Sequence, residues 1–324
     1  MSDAAIPTGQ PGQPGQPGQP GQPGTVDVPL ARKLTATLSS TAGKSFVWAL
    51  AILWTIPTFG LLVTSLRPER EIKSSGWWVS FANPTTTFDN YFAVLGRRSG
   101  IELGKYFLNS VKIAVPATLI SVAVAALASY ALSWMTFKGR DWIYVGIIAL
   151  LVVPLQMAII PLLRLFNLGV HIGTFTLIPA LNIPSVAQVW IAHACFGMPF
   201  CLFILKNFVS AIPQELIEAS RIDGAGHMTI FRRVVLPLST PSIASLGIFQ
   251  FLFIWNDFFV GKIFAGGGDK APITAKLVEV AGNRGQAWHL LTAAAFISAV
   301  VPLAVFFSLQ RYFVKGLLAG SVKG

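Results

Sequence analysis

Residues 113–137 read IAVPATLISVAVAALASYALSWMTF, a stretch of 25 residues that contains no Asp, Glu, Lys or Arg. A helix crosses the hydrocarbon core of a bilayer with about 20 largely apolar residues, because each backbone polar group must be satisfied within the segment. This stretch therefore predicts a helix that crosses a membrane.

Other charge-free stretches of similar character occupy residues 45–66, 142–163, 165–205, 234–256 and 285–310. Each has the length of one crossing except 165–205, which has 41 residues. The first part of that stretch is polar and rich in glycine, so we expect a loop and then one helix from about Phe175. Pro179 and Pro184 should bend the entry to this helix. The sequence thus predicts an all-α polytopic membrane protein with six transmembrane helices.

The composition supports the same class. Charged residues make up 11% of the chain and hydrophobic residues 53%, with a mean hydropathy of +0.64. A soluble domain carries roughly 25% charged residues, so an ordinary soluble enzyme is excluded. The net charge of +11 does not indicate a nucleic-acid partner, because the basic residues are scattered between the spans. Cys195 and Cys201 lie six residues apart in one span, beyond disulfide reach.

The N-terminal region has a different character. Residues 9–23 are five Gly-Gln-Pro triplets, too few for a collagen triple helix on one chain, and they predict a disordered tail. We therefore divide the chain into a tail and pre-membrane segment (1–44), a six-span domain (45–315) and a C-terminal tail (316–324). Lys and Arg are split 12 to 11 between the two sides of this topology, so charge alone does not orient the chain.

The loop between the fourth and fifth spans carries the most specific pattern. Residues 211–241 read AIPQELIEASRIDGAGHMTIFRRVVLPLSTP. Pro213 suits a first helical turn, residues 215–223 predict a helix of about two turns, and Gly224 should end it. Pro237 and Pro241 should break the chain where the fifth span begins. A short helix in water between two spans indicates either a docking element or an interfacial helix without a partner, with about equal weight.

This loop resembles the EAA loop of the permeases of ABC importers. The resemblance rests on a set of residues at fixed spacing: Glu218, Ala219, Ser220, Asp223, Gly224, Val234, Leu236 and Pro237. Ser220 replaces an alanine of the family pattern and Val234 replaces an isoleucine, and both changes are small. Further segments from about residue 45 to 324 resemble the maltose-type sugar permeases, closest in look to the α-glucoside branch.

The resemblance implies a function and a set of partners. In such importers, two six-span permease subunits form the pore, an ATPase dimer docks on their cytoplasmic loops, and an extracytoplasmic sugar-binding protein delivers the carbohydrate. ATP and Mg are used by the ATPase, and no cofactor is implied for this chain. The resemblance also places residues 206–238 and both termini on the cytoplasmic side of the inner membrane.

Roles carry over to individual residues of the loop. Glu218 would pair with a basic residue of the ATPase, Ala219 and Ser220 would keep the coupling helix slim, and Gly224 would permit a tight turn. Asp223, Leu236 and Pro237 complete the same coupling motif.

Polar and aromatic residues within the spans are candidates for the translocation path: Gln156, Gln188, Gln250, Trp255 and Asn256. The three glutamines are expected near the middle of the membrane, where neutral amides suit a substrate rich in hydroxyl groups. Helix–helix hydrogen bonding explains them equally well.

An ion-coupled secondary transporter or channel is the alternative function. It would depend on the ionisable residues Asp257 and Lys112, which lie near span ends. An ATP-hydrolysing role is not supported, because the Gly43-Lys44-Ser45 segment lacks the first glycine of a phosphate loop and has Leu38 in its place. With no catalytic constellation in the sequence, we expect a subunit that is not itself an enzyme.

Overall fold

The computed structural model describes residues 40–96, 100–282 and 287–321, with no side-chain description from residue 311 onward. The Gly-Gln-Pro repeat and the last three residues of the expected C-terminal tail lie outside the described residues. The described residues divide into two compact units, one up to Ile56 and one from Pro57 onward, and the features below belong to the second unit unless stated.

Helices dominate the described residues. In chain order they are α1 (Thr41–Ser65), α2 (Glu69–Ser74), α3 (Asp89–Leu95), α4 (Leu103–Trp134), α5 (Arg140–Ala149), α6 (Leu155–Asn167), α7 (Ser185–Val209), α8 (Gln214–Ile222), α9 (His227–Ile230), α10 (Leu236–Asn256), α11 (Phe259–Ala265), α12 (Ile273–Ala281) and α13 (Trp288–Ser321). Short 3-10 turns cover Trp77–Phe81, Leu150–Val152 and Gly268–Lys270. The strands β1 (Val170–Ile172) and β2 (Phe175–Ile178) form one antiparallel hairpin.

Five helical segments of the described chain are long and apolar enough to cross a membrane. They are α1, α4, α7, α9 with α10 as one segment, and α13. A bent pair, α5 with its 3-10 turn followed by α6, passes the same test as a unit and brings the number to six when it counts as one span. This agrees with the six predicted spans. Apolar side chains of α4 and α13, such as Leu119 and Leu303, are exposed, as expected for surfaces that face lipid or a partner.

The predicted span at 142–163 is not one straight helix. Its two halves meet at 110°. Val153, directly before Pro154, is extended (φ −73°, ψ 120°) because the proline ring disfavours the helical region for the preceding residue. The continuous helix was therefore a wrong prediction, and Pro154 is the physical reason.

The start of the fourth span was also predicted wrongly. Residues 175–178 form strand β2, and α7 begins only at Ser185, after Pro184. Gly173 (φ 61°) begins the two-residue turn between the strands, which glycine adopts without steric cost. Pro179 follows the last paired residue. The all-α class holds apart from this hairpin.

Pro237 and Pro241 do not break the chain, contrary to the prediction. Residues 231–235 form a π-helical turn, and the chain remains helical from His227 to Asn256. The Leu236 amide bonds Phe231 O, five residues back. The wider turn lies just before the proline that cannot donate its own hydrogen bond.

The buried side chains form two apolar clusters. One cluster includes Leu103, Phe166, Trp255 and Phe264. The second, here called the loop-side cluster, includes Tyr130, Leu205, Ile217, Ile230 and Val235. The loop-side cluster joins the ends of α4 and α7 and the start of α10 to the loop between α7 and α10. The last helix, expected to end near residue 310, continues to Ser321.

Candidate functional site

The short helix predicted in the loop between α7 and α10 is present as α8. Pro213 precedes it in an extended conformation (φ −55°, ψ 133°), Glu215 lies in its first turn and Arg221 in its last. An acid near the N-terminus and a base near the C-terminus both interact favourably with the helix dipole. The observed bounds differ by one residue from the predicted 215–223.

The turn after α8 is a Schellman motif centred on Gly224. The amide of Ala225 bonds Ser220 O at 3.0 Å and the amide of Gly224 bonds Arg221 O at 3.0 Å. Gly224 has φ 77°, a left-handed conformation that residues with a Cβ rarely adopt. A Cβ at this position would meet nothing within 4 Å of the rest of the chain. Within this chain, backbone conformation rather than space therefore requires the glycine.

One face of α8 is buried and the opposite face is displayed. Ile217, the buried residue of the helix, packs in the loop-side cluster at 1% exposure. Glu218 and Ala219 are exposed, and Gln214 Nε2 donates a hydrogen bond of 2.6 Å to Glu218 Oε1. Glu218 and the small side chain of Ala219 thus lie next to each other on the exposed face of α8.

Two polar contacts fasten this loop to the end of α4, and a third joins the ends of α4 and α7. Arg221 Nη2 bonds Trp134 O at 2.8 Å, and Trp134 Nε1 bonds Val209 O at 3.1 Å. The Tyr130 hydroxyl and His227 Nδ1 lie 3.0 Å apart. Sequence reasoning missed these contacts, because they join residues 75 or more positions apart. The available signal was the position of Tyr130 and Trp134 in the last turns of a charge-free stretch.

The structure separates the coupling motif into two parts. Residues 218–224 lie on α8 and its turn, where Ser220 Oγ bonds Leu216 O and Asp223 is exposed. Leu236 and Pro237 begin α10 and are also exposed. The two parts are linked through the loop-side cluster, which holds Ile217 from the first part and Val235 beside the second.

Gln250 is buried where α4, α7 and α10 meet. Its Nε2 bonds Ser121 Oγ at 3.3 Å, and its Oε1 lies 3.7 Å from Cys201 Sγ, a weak donor. A Cβ at Gly197 would lie 2.7 Å from Gln250 Cδ, so the absence of a side chain at Gly197 makes room for the amide. The exposed fraction of Gln250 is 3%. In this conformation the amide bridges helices.

Trp255 and Asn256 follow on α10 but differ in environment. Trp255 is 1% exposed, its Nε1 bonds Ser298 O at 3.1 Å, and its ring packs against Phe107 and Phe251. Asn256 is exposed and lines an open cavity of about 610 Å³ together with Phe249 and Phe253.

The two other glutamines lie near helix ends. Gln188 lies in the first turn of α7, where its Nε2 bonds Asn167 Oδ1 at 3.1 Å and Ile183 O at 3.0 Å. It ties the end of α6 to the start of α7 and lies in the first turn of its helix, whereas the sequence predicts a position near the middle of the membrane. Gln156 is the second residue of α6, directly after the bend in the third span, and is exposed.

Sequence reasoning also missed a buried pair. His193 Nε2 of α7 lies 3.7 Å from Asp257 Oδ2, and His193 is 1% exposed. Neither ring nitrogen has a hydrogen-bond partner among the described residues. Asp257 Oδ2 accepts the Gly261 amide at 2.9 Å, which caps the start of α11. The described residues contain no group of His, Cys, Asp and Glu side chains that could hold a metal ion.

Residues 117–318 match the family model "Binding-protein-dependent transport system inner membrane component". The Osmoprotective compounds uptake permease protein GgtD of Synechocystis sp. is 48% identical over 86% of this chain and 90% of its own. The Alpha-glucoside transport system permease protein AglG of Rhizobium meliloti is 49% identical over 81% of this chain and 67% of its own.

A solved structure shares the fold. It is a chain of a bacterial ABC transporter involved in the import of the acidic polysaccharide alginate, with a TM-score of 0.63 and 16% identity, covering 90% of this chain and 100% of that one. At this identity the likeness concerns the fold alone. With the family match over most of the chain, it leads to one conclusion: this chain belongs to the family of inner membrane components of binding-protein-dependent transport systems.

Proposed function

We propose that the chain is a permease subunit of an ATP-driven carbohydrate importer and takes a di- or oligosaccharide such as an α-glucoside. It forms half of the pore with a second six-span subunit, while a sugar-binding protein delivers substrate from outside. The alpha-glucoside permease at 49% identity supports the substrate class. The Melibiose/raffinose/stachyose import permease protein MelC of Bacillus subtilis, 32% identical over 83% of this chain and 91% of its own, also supports it.

The observation that carries the proposal is that the outer face of α8 is exposed. Its outer face offers Glu218 and Ala219, while Ile217 and Arg221 fasten the helix to the ends of the spans. An ATPase that grips the outer face would therefore push on α4 through the bond from Arg221 to Trp134 O. Closure of the ATPase dimer around ATP and Mg would then move the spans and expose the path in turn to each side.

This function sets the orientation of the chain in the membrane and the roles of its residues. Residues 206–238 and both termini lie in the cytoplasm, and the chain itself binds no nucleotide. Among the positions proposed for the sugar path, Gln156 and Asn256 are the exposed ones, and Phe253 beside Asn256 offers a ring on which a sugar could stack. Gln156, Gln188, Gln250 and Trp255 belong to the same proposed path, and the last three would act by holding its walls.

The test is a comparison of two acids on α8 in the reconstituted transporter. Glu218→Gln removes the charge offered to the ATPase but keeps an oxygen that can accept from Gln214. Glu215→Gln, also exposed on α8, is the matched control. We expect Glu218→Gln to reduce sugar-stimulated ATP hydrolysis by about tenfold, as for loss of a charge-assisted contact. Glu215→Gln should retain most of it. Equal activity of the two variants would contradict the proposed docking role.

A further inference from the structure

A segment without charged residues lies between the first two spans. Residues 74–88, SSGWWVSFANPTTTF, contain no charged residue. As a helix, 15 residues would reach only about 22 Å, short of the roughly 30 Å of a hydrocarbon core. The segment therefore cannot cross a membrane, and its central residues Trp77–Phe81 form a 3-10 turn instead.

The entry to this segment is fixed at the end of α1. Arg67 is 2% exposed, and its guanidinium donates to Ser75 O at 3.1 Å and to Ser75 Oγ at 2.6 Å. Ser75 thus lies at the level of Arg67, just past the last residue of α1.

The centre of the segment lies beside the interior of α1. The ring of Phe59 is 6.2 Å from that of Trp77 and 6.3 Å from that of Phe81, which it stacks upon. A Cβ at Gly60 would lie 2.7 Å from Trp77 Nε1, so the indole packs directly on the α1 backbone. Phe59 precedes the end of α1 at Ser65 by six residues, or about 9 Å of helix rise.

The exit returns to the level of the entry. The amide of Thr87 bonds Leu66 O at 2.7 Å, and Asn90 Nδ2 bonds Ser65 O at 2.9 Å. The chain thus leaves the end of α1, descends beside it to Phe59, and comes back to the same end.

The exposed side chains of the 3-10 turn Trp77–Phe81 are apolar, whereas Asn83, Thr85 and Thr86 after it are exposed polar residues, and the Thr85 hydroxyl donates to Glu71 Oε2 on α2. Trp78 is 63% exposed and Phe81 68% exposed. Within the 3-10 turn the backbone bonds its own groups locally, with Val79 N to Gly76 O at 3.1 Å and Ala82 N to Val79 O at 3.0 Å. Local bonding of this kind is what non-aqueous surroundings require, and tryptophan is enriched at membrane interfaces.

We propose that the 3-10 turn Trp77–Phe81 dips into the leaflet at the Ser65 end of α1, with Trp78 and Phe81 in contact with lipid, and that residues 82–87 return to the level of α2. The occupant is the lipid that already surrounds α1, because the segment continues the apolar surface of that span. The charged helix α2, which carries Glu69, Arg70 and Lys73, remains in water next to the membrane surface.

The test uses single cysteines in the full chain, purified with its transporter partners in lipid nanodiscs, where both faces are open to reagents. Cys195→Ser with Cys201→Ala removes both native thiols. Trp78→Cys and Phe81→Cys probe the segment, and Arg70→Cys on α2 is the control. Each is reacted with a water-soluble maleimide. Each is also labelled with bimane and measured in nanodiscs whose phosphatidylcholine carries brominated acyl chains, a short-range quencher.

We expect the maleimide to react about tenfold more slowly at positions 78 and 81 than at 70, since water is scarce in the hydrocarbon region. The brominated lipid should quench bimane at 78 and 81 and leave it bright at 70. Reaction at 78 and 81 as fast as at 70 would overturn the proposal. Slow reaction without quenching would overturn it as well, because a protein partner rather than lipid would then cover the segment.

Discussion

The turn after α8 requires a left-handed residue at position 224, and Gly224→Ala tests this requirement. The methyl group would meet nothing within 4 Å of this chain, so the cost is conformational. A residue with a Cβ pays about 1–2 kcal/mol for the left-handed region, which corresponds to roughly 5- to 30-fold in an equilibrium. The Schellman bonds of Ala225 and Gly224, both 3.0 Å, should open more often by that factor.

Two assays report this opening. Amide hydrogen exchange at Ala225 measures it in the permease alone and should accelerate by roughly 5- to 30-fold in Gly224→Ala, since local opening governs exchange. The reconstituted transporter should need a correspondingly higher concentration of the ATPase to reach half-maximal sugar-stimulated ATP hydrolysis. Gly226→Ala is the matched control, because Gly226 has φ −74° and equal open space, so both measurements should stay unchanged.

A third substitution separates backbone preference from collision with the ATPase. Asparagine tolerates the left-handed region better than alanine but has a larger side chain. If conformation governs, Gly224→Asn should lose less activity than Gly224→Ala. If a bulky group at 224 blocks docking, the asparagine variant should lose more. An alanine variant that exchanges and couples like the native protein would refute the conformational reasoning altogether.

Two further predictions concern the contact of α7 with α10. Gly197→Ala should destabilise the protein by about 1–3 kcal/mol through overpacking against Gln250, while Gly247→Ala, which has open space, should be neutral or stabilising. Thermal unfolding followed by tryptophan fluorescence checks this, and equal midpoints for the two variants would contradict it. Gln250→Met should change the apparent KM for sugar uptake by less than about twofold, because the amide bonds Ser121 and Cys201 rather than a substrate. A tenfold rise in KM would instead indicate that Gln250 contacts the sugar directly.

The spans could be predicted from sequence because a membrane demands long apolar helices, and such stretches are visible as gaps in the charge pattern. The helix α8 and its glycine turn could also be predicted, since proline starts, dipole-matched charges and a C-terminal glycine are local signals. The failures occurred where local signals compete. At Pro154 the helix is interrupted, whereas at Pro237 the helix continues from a π-helical turn. The residue type alone does not distinguish these outcomes.

The placement of the polar residues was beyond the sequence for a different reason. Gln188 and Gln250 look alike in a charge-free stretch. One joins the end of α6 to the start of α7, and the other fills the space left by Gly197 between three helices. Their partners lie 21 and 129 residues away in sequence, so only packing decides which bonds form.

The sequence by itself determined the membrane class, the number of spans and the position of the short loop helix. Each follows from interactions within about 25 neighbouring residues, the length of one crossing. The tertiary structure alone decided which side chains hold that helix to the spans, through Arg221 on Trp134 O and Ile217 in the loop-side cluster. It also decided that residues 75–87 descend beside α1. Contacts between distant segments set both features, and neither leaves a periodic trace in the chain.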